Sequence, residues 1–88
     1  MLRLRLSKKF QKDFKRMLKQ GKDRKKIDRI VTLLLKGEIL PAAYNEHKLS
    51  GTWKGYIECH IEPDWLLVYK FKGDELQLVR TGSHSDIF

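Results

Sequence analysis

The apolar residues of this 88-residue chain change period part way along, and the change falls near Gly37. Leu2, Leu4 and Leu6 alternate with arginines, a period of two that fits a half-buried strand. Ser7 then offers a helix N-cap, and Phe10, Phe14, Met17 and Leu18 follow at the spacing of one helix face. Gly21 ends that helix. Asp23 can cap a second one, in which Ile27, Ile30, Val31, Leu34 and Leu35 repeat the stripe until Gly37 stops it. After a loop from Glu38 to Glu46 that contains Pro41, the period returns to two. His47 to Leu49 is a short strand, residues 53 to 62 and 65 to 71 are longer ones joined by Pro63-Asp64, and Leu76 to Thr81 follows the Gly73-Asp74 turn. The expected fold is α+β in the order β-α-α-β-β-β-β, one domain over residues 1–88, with a helical hairpin packed on one face of a mainly antiparallel sheet.

A two-residue turn at Pro63-Asp64 sets Glu62 opposite Trp65, His60 opposite Leu67 and Glu58 opposite Tyr69. Lys54, Tyr56, Glu58, His60, Trp65 and Tyr69 then share a polar, aromatic face, and Trp53, Ile57, Cys59, Ile61, Leu66 and Val68 face the helices. The assignment depends on register, since a slip of one residue inverts it.

Charge divides along the same line as period. Residues 1 to 37 hold 14 Lys or Arg against 3 Asp or Glu, a net +11, and residues 38 to 88 carry −3. A basic hairpin with one greasy side favours a polyanion, because each phosphate neutralised releases condensed counterions. No stretch reads as a secretory signal or a membrane span, and a lone Cys59 suits a reducing compartment, so a cytoplasmic protein with no membrane partner is expected.

The basic half holds none of the histidines. His47, His60 and His84 all fall in the second half, near Asp64, Arg80 and the terminal Phe88. Histidine has a reference pKa of about 6.5 and serves as base or acid near neutrality. On charge alone RNA, DNA and acidic proteins all remain candidate partners. Were the substrate RNA, which carries its own nucleophile, cleavage would need a base for the 2′-OH, an acid for the leaving 5′-oxygen, and cations for the phosphorane. His84 and His60 are the expected proton-transfer pair, with the roles of base and acid open between them. Arg80 is the candidate for the phosphate, because its planar fork matches phosphate oxygens, and Lys54 can assist. Histidine spacings of thirteen and twenty-four residues match no local ligand pattern, so neither a metal nor a cofactor is expected.

The runs His47-Lys-Leu-Ser-Gly-Thr-Trp-Lys-Gly-Tyr56, His60-Ile-Glu-Pro-Asp-Trp-Leu-Leu-Val-Tyr69 and Arg80-Thr-Gly-Ser-His84, closing on Phe88, resemble the YafQ-type branch of the RelE/ParE superfamily of bacterial toxins. The resemblance is specific in the second half and a matter of pattern in the first. It implies a RelE-like fold and a ribosome-dependent endoribonuclease that cuts mRNA in the A site and is restrained by a cognate antitoxin. It also implies that His47, His60, His84, Asp64, Trp65 and Phe88 form the functional set. Relatives of this fold that inhibit gyrase without nuclease chemistry, or a plain basic RNA-binding module, are the competing readings; neither needs the histidine set.

Overall fold

The structure, a computed structural model, describes residues 1–88. It contains β1 (Arg3–Leu6), α1 (Lys8–Lys19), α2 (Arg24–Leu35), β2 (His47–Lys48), β3 (Ile57–Glu62), β4 (Trp65–Lys72), β5 (Glu75–Gly82) and a short C-terminal helix, α3 (His84–Ile87). Single 3-10 turns occupy Ala42–Tyr44 and Gly51–Trp53. The expected order is present, and α3 is an element that the sequence reading did not predict. The strands form one sheet in the order β1-β5-β4-β3-β2, antiparallel except where β1 runs parallel to β5.

The helix caps form as the residue types dictate. The Ser7 side chain accepts from the Phe10 amide at 2.9 Å, and Asp23 accepts from the Lys25 amide at 2.9 Å, each satisfying a donor that the first turn leaves unpaired. Phe10, Met17, Ile27, Ile30 and Leu34 of the hairpin are buried against Cys59, Ile61, Trp65, Leu67, Tyr69, Leu76 and Leu78 of the sheet. Neither long helix is apolar enough over its length to cross a membrane.

The β3–β4 register differs from the expected one. Glu62 does face Trp65, but the register shifts between His60 and Glu62, so His60 faces Leu66 and Glu58 faces Val68. This one-residue shift inverts β4. Trp65, Leu67 and Tyr69 turn toward the helices, and Leu66 and Val68 turn away. The gain is the burial of two large rings, each about 150–250 Å² of surface, with their polar ends satisfied. The Trp65 indole N–H donates to Thr81 Oγ1 at 2.9 Å, and the Tyr69 hydroxyl donates to the Glu46 carboxylate. Trp53, expected in the core, is instead half-buried, with its ring edge-on to Tyr56 and Phe88.

Trp65 is therefore a core residue with no exposed surface, and its ring is not placed to stack on a base. Trp65→Ala should cost about 3–5 kcal/mol, a large part of the roughly 5–15 kcal/mol that holds a domain of this size together. Urea unfolding measures this directly. A loss below about 1 kcal/mol, the range of ordinary surface substitutions, would contradict the buried placement.

Candidate active site

Strand pairing brings the three histidines together from three parts of the chain. The β2–β3 register sets His47 opposite Glu58, and the two-residue period of β3 puts Glu58 and His60 on one face. The β3–β4 turn presents Asp64, and α3 begins at His84. The His47 and His60 ring centroids lie 6.0 Å apart, and those of His60 and His84 lie 5.6 Å apart. The imidazoles thus form a continuous row.

Each ring is oriented by a partner. His84 Nδ1 lies 2.7 Å from Asp64 Oδ1, and the same oxygen accepts the His84 backbone N–H at 2.9 Å. A proton on Nδ1 suits that contact and leaves Nε2 to act outward. His47 Nδ1 donates to the Asn45 carbonyl at 2.9 Å, so its Nε2 points elsewhere, toward Glu58 Oε1 at 3.4 Å. His60 Nε2 reaches the same oxygen at 3.3 Å. Glu58 is thus a buried carboxylate shared by two imidazoles, its side chain only 5 % exposed. The sequence reading attached no role to it. Its signal was available in the strand period, which set it beside His60. Beneath the row, the Tyr69–Glu46 bond fixes the residue that precedes His47, so the core side of β4 holds β2 in place.

The His84 backbone N–H, and then its ring, hold the Asp64 carboxyl below the usual carboxylate range. A carboxyl depressed in the folded state stabilises the fold fully above its unfolded pKa of about 3.9, and that contribution disappears as pH falls through the folded value. The stability difference between wild type and Asp64→Asn should accordingly shrink progressively as pH falls from about 5, toward zero at the acid end. Urea midpoints of both proteins along that series check it; a difference unchanged at the acid end would contradict the contact.

Arg80 and Lys54 are placed differently from expectation. Arg80, expected to face the phosphate, is bound by Asp13 of α1. Its Nε lies 2.6 Å from Asp13 Oδ2 and its Nη2 lies 3.2 Å from Oδ1, and its side chain is 17 % exposed. The bond to Asp13 also raises its pKa further. Asp13 belongs to the buried face of α1, where a helical stripe read only for apolar residues passes over it. Lys54 lines a groove with Lys48, Leu49 and Tyr56 that includes none of the histidines. Phe88 ends the chain about half exposed, its ring edge-on to Trp53 at 5.6 Å and its amide bonded to the His84 carbonyl. Trp53 and Tyr56, the latter with the Lys70 ammonium 4.8 Å above its ring, extend this aromatic surface beyond what the sequence reading assigned. Cys59 is fully buried, and burial pushes its thiol pKa up to about 12, so it is inert near neutrality.

One grouping could hold a metal. Ligand atoms of His47, Glu58 and His60 all lie within 4.8 Å of one another, and two imidazoles with a carboxylate suit zinc or copper. Spacing along the chain concealed this set because it is assembled across two paired strands.

Three comparisons agree on the relationship. A family model described as a bacterial toxin of type II toxin–antitoxin system, YafQ, matches residues 2–88. The mRNA interferase toxin YafQ of Escherichia coli K12 is 44% identical over 80 residues, covering 90% of this chain and 87% of the relative. Among solved structures, a copper-bound mutant toxin from Helicobacter pylori superposes with a TM-score of 0.97 at 48% identity, both chains covered in full. The E. coli DinJ–YafQ complex matches with a TM-score of 0.92 at 40% identity, covering 100% of this chain and 99% of that one. Identity at this level across nearly the whole length, with the same fold, is more than shared architecture: the chain belongs to the YafQ family of bacterial type II toxin–antitoxin toxins.

Proposed function

We propose that this mRNA interferase cuts messenger RNA on the translating ribosome, in the A site, by attack of the substrate's own 2′-OH. The observation that supports this most is the row His47–His60–His84 with a carboxylate at each end, Glu58 on two of the rings and Asp64 on the third. His84 and His60 share the proton transfers, one taking the proton of the 2′-OH and the other supplying one to the 5′-oxygen. Asp64 holds the His84 ring in orientation, as the carboxylate of a catalytic triad does for its histidine. His47, at the far end of the row, offers a further ring nitrogen toward the phosphate. Phe88, with Trp53 and Tyr56, offers rings on which a splayed base can stack.

Binding to the ribosome draws on the basic hairpin. Lys8, Lys12, Lys15, Lys19 and Lys25 are exposed, whereas Lys22 and Lys26 are each 2.7 Å from a Glu62 oxygen and are partly neutralised. The working compartment is the cytoplasm, where ribosomes are, and a cognate antitoxin is the partner that restrains the toxin; the E. coli DinJ–YafQ complex supports that pairing. The test is cleavage mapping. Toxin is added to ribosomes paused at a defined codon and the new 5′ ends are located; cuts within the A-site codon are expected, and equal cutting of free mRNA would refute ribosome dependence.

A second property rests on a separate observation. The His47–Glu58–His60 grouping, together with the copper-bound Helicobacter pylori relative, supports divalent metal binding by this chain. A metal there would occupy the lone pairs that His60 needs for proton transfer, so copper should inhibit cleavage and EDTA, with ribosomes kept intact, should leave it unchanged.

A further inference from the structure

The C-terminal turn that carries His84 is only four helical residues long and contributes no buried side chain. A segment with so few apolar contacts belongs to the low-stability end of a domain and frays unless it is tied down. Ser83 and Asp86 close a capping box, which shapes the turn internally but does not fix it to the body of the protein. Three tethers do. Asp64 binds His84 from the β3–β4 turn. Arg80 Nη2 reaches the Asp86 carbonyl at 3.4 Å from β5. Arg16 Nη2, from α1, lies 3.5 Å from Asp86 Oδ2.

The last two tethers converge on one residue. Asp13 is 3 % exposed, and it accepts from Arg16 Nη2 at 3.2 Å, from Arg80 Nε and Nη2, and from the Thr81 amide at 3.2 Å. Its carboxylate therefore holds both guanidiniums and the end of β5 in a fixed relation. Arg16 Nε is buried without a partner, so the guanidinium is kept in place by the contacts at its Nη2 against that cost. The approach is also close. Gly82 has φ +154, and a Cβ there would come within 2.9 Å of Asp86 Oδ2 and 3.1 Å of Arg16 Nη2. Only glycine leaves room for the Arg16–Asp86 contact.

We propose that Arg16 and Asp13 are positioning residues for His84: through Asp86 and Arg80, α1 clamps the C-terminal turn so that the His84 ring stays on Asp64 and beside His60. The inference rests on the assignment of His84 to proton transfer, but the clamp itself is observable without any cleavage. Loss of it shifts a proton carrier relative to the phosphate, and a displacement near 1 Å costs about 10²-fold in rate. Docking on the ribosome through the lysines of the hairpin is left intact, whereas base stacking on Phe88, which lies on the same segment, weakens with it.

The test compares Arg16→Gln and Arg16→Lys with wild type by NMR and by kinetics on ribosome-bound mRNA. Arg16 is partly exposed and Asp13 keeps Arg80, so Arg16→Gln should melt close to wild type. Amides 83 to 88 should lose order, the His84 ring resonances should move while those of His47 stay, and kcat should fall about 10²-fold, with KM rising no more than it does in Phe88→Ala. Arg16→Lys, which keeps a charge within reach of both carboxylates, should recover part of each. Unchanged order at residues 83 to 88 with unchanged His84 resonances would overturn the clamp. So would an activity loss that merely follows a fall in melting temperature. If wild type itself fails to cut ribosome-bound mRNA, the nuclease reading falls, and the NMR comparison alone then decides the clamp.

Discussion

His84→Ala should lower the rate of mRNA cleavage by about 10²–10⁴-fold while leaving the protein folded. The side chain is half exposed and contributes nothing to the apolar core, so its removal should change stability by no more than about 1 kcal/mol. What disappears is the only imidazole whose ring nitrogen is held by Asp64, and with it one of the two proton-transfer groups proposed above. Asp64 retains the His84 backbone N–H as a partner, so the β3–β4 turn should keep its shape. Single-turnover cleavage on paused ribosomes, with a melting curve of the same sample, separates this outcome from unfolding. Trp65→Ala provides the contrast, since its activity should fall only as its fold does. Wild-type rates from folded His84→Ala would remove that ring from the chemistry.

The parts of the fold that repeat were legible, and the parts that depend on one irregularity were not. The stripes Phe10, Met17 and Ile27, Ile30, Leu34 read as helices because each residue buries the same face every turn. Ile57, Cys59 and Ile61 fell on the core side as the period of two requires. The bulge between His60 and Glu62 has no signature in residue type, and it moved Trp65 and Tyr69 from an expected polar face into the core. Among the candidate site residues, the histidines stood out because three titratable rings in one short half of a basic chain have few structural uses. Arg80 stood out for the same chemical reason and was misplaced, because its partner, Asp13, lies 67 residues earlier in a stripe that looks apolar. Glu58 is one strand period from His60, yet a carboxylate on a sheet is ordinary until its burial between two imidazoles is seen.

The central claim is that the substrate supplies the nucleophile and the histidine row moves the protons. A messenger carrying a single 2′-O-methyl group at the nucleotide 5′ of the scissile phosphate tests it most directly. The methyl group removes the attacking hydroxyl and leaves the phosphate, the codon and the ribosome unchanged. Toxin should bind ribosomes paused on this messenger as it binds the unmodified one, because the basic hairpin and the aromatic surface at Phe88 do not depend on that hydroxyl. Cleavage should be undetectable at the modified position, and the unmodified messenger should yield an upstream fragment ending in a 2′,3′-cyclic phosphate. Cutting of the 2′-O-methyl messenger at the same phosphate, at a rate near that of the unmodified strand, would mean that water attacks instead and would contradict the mechanism.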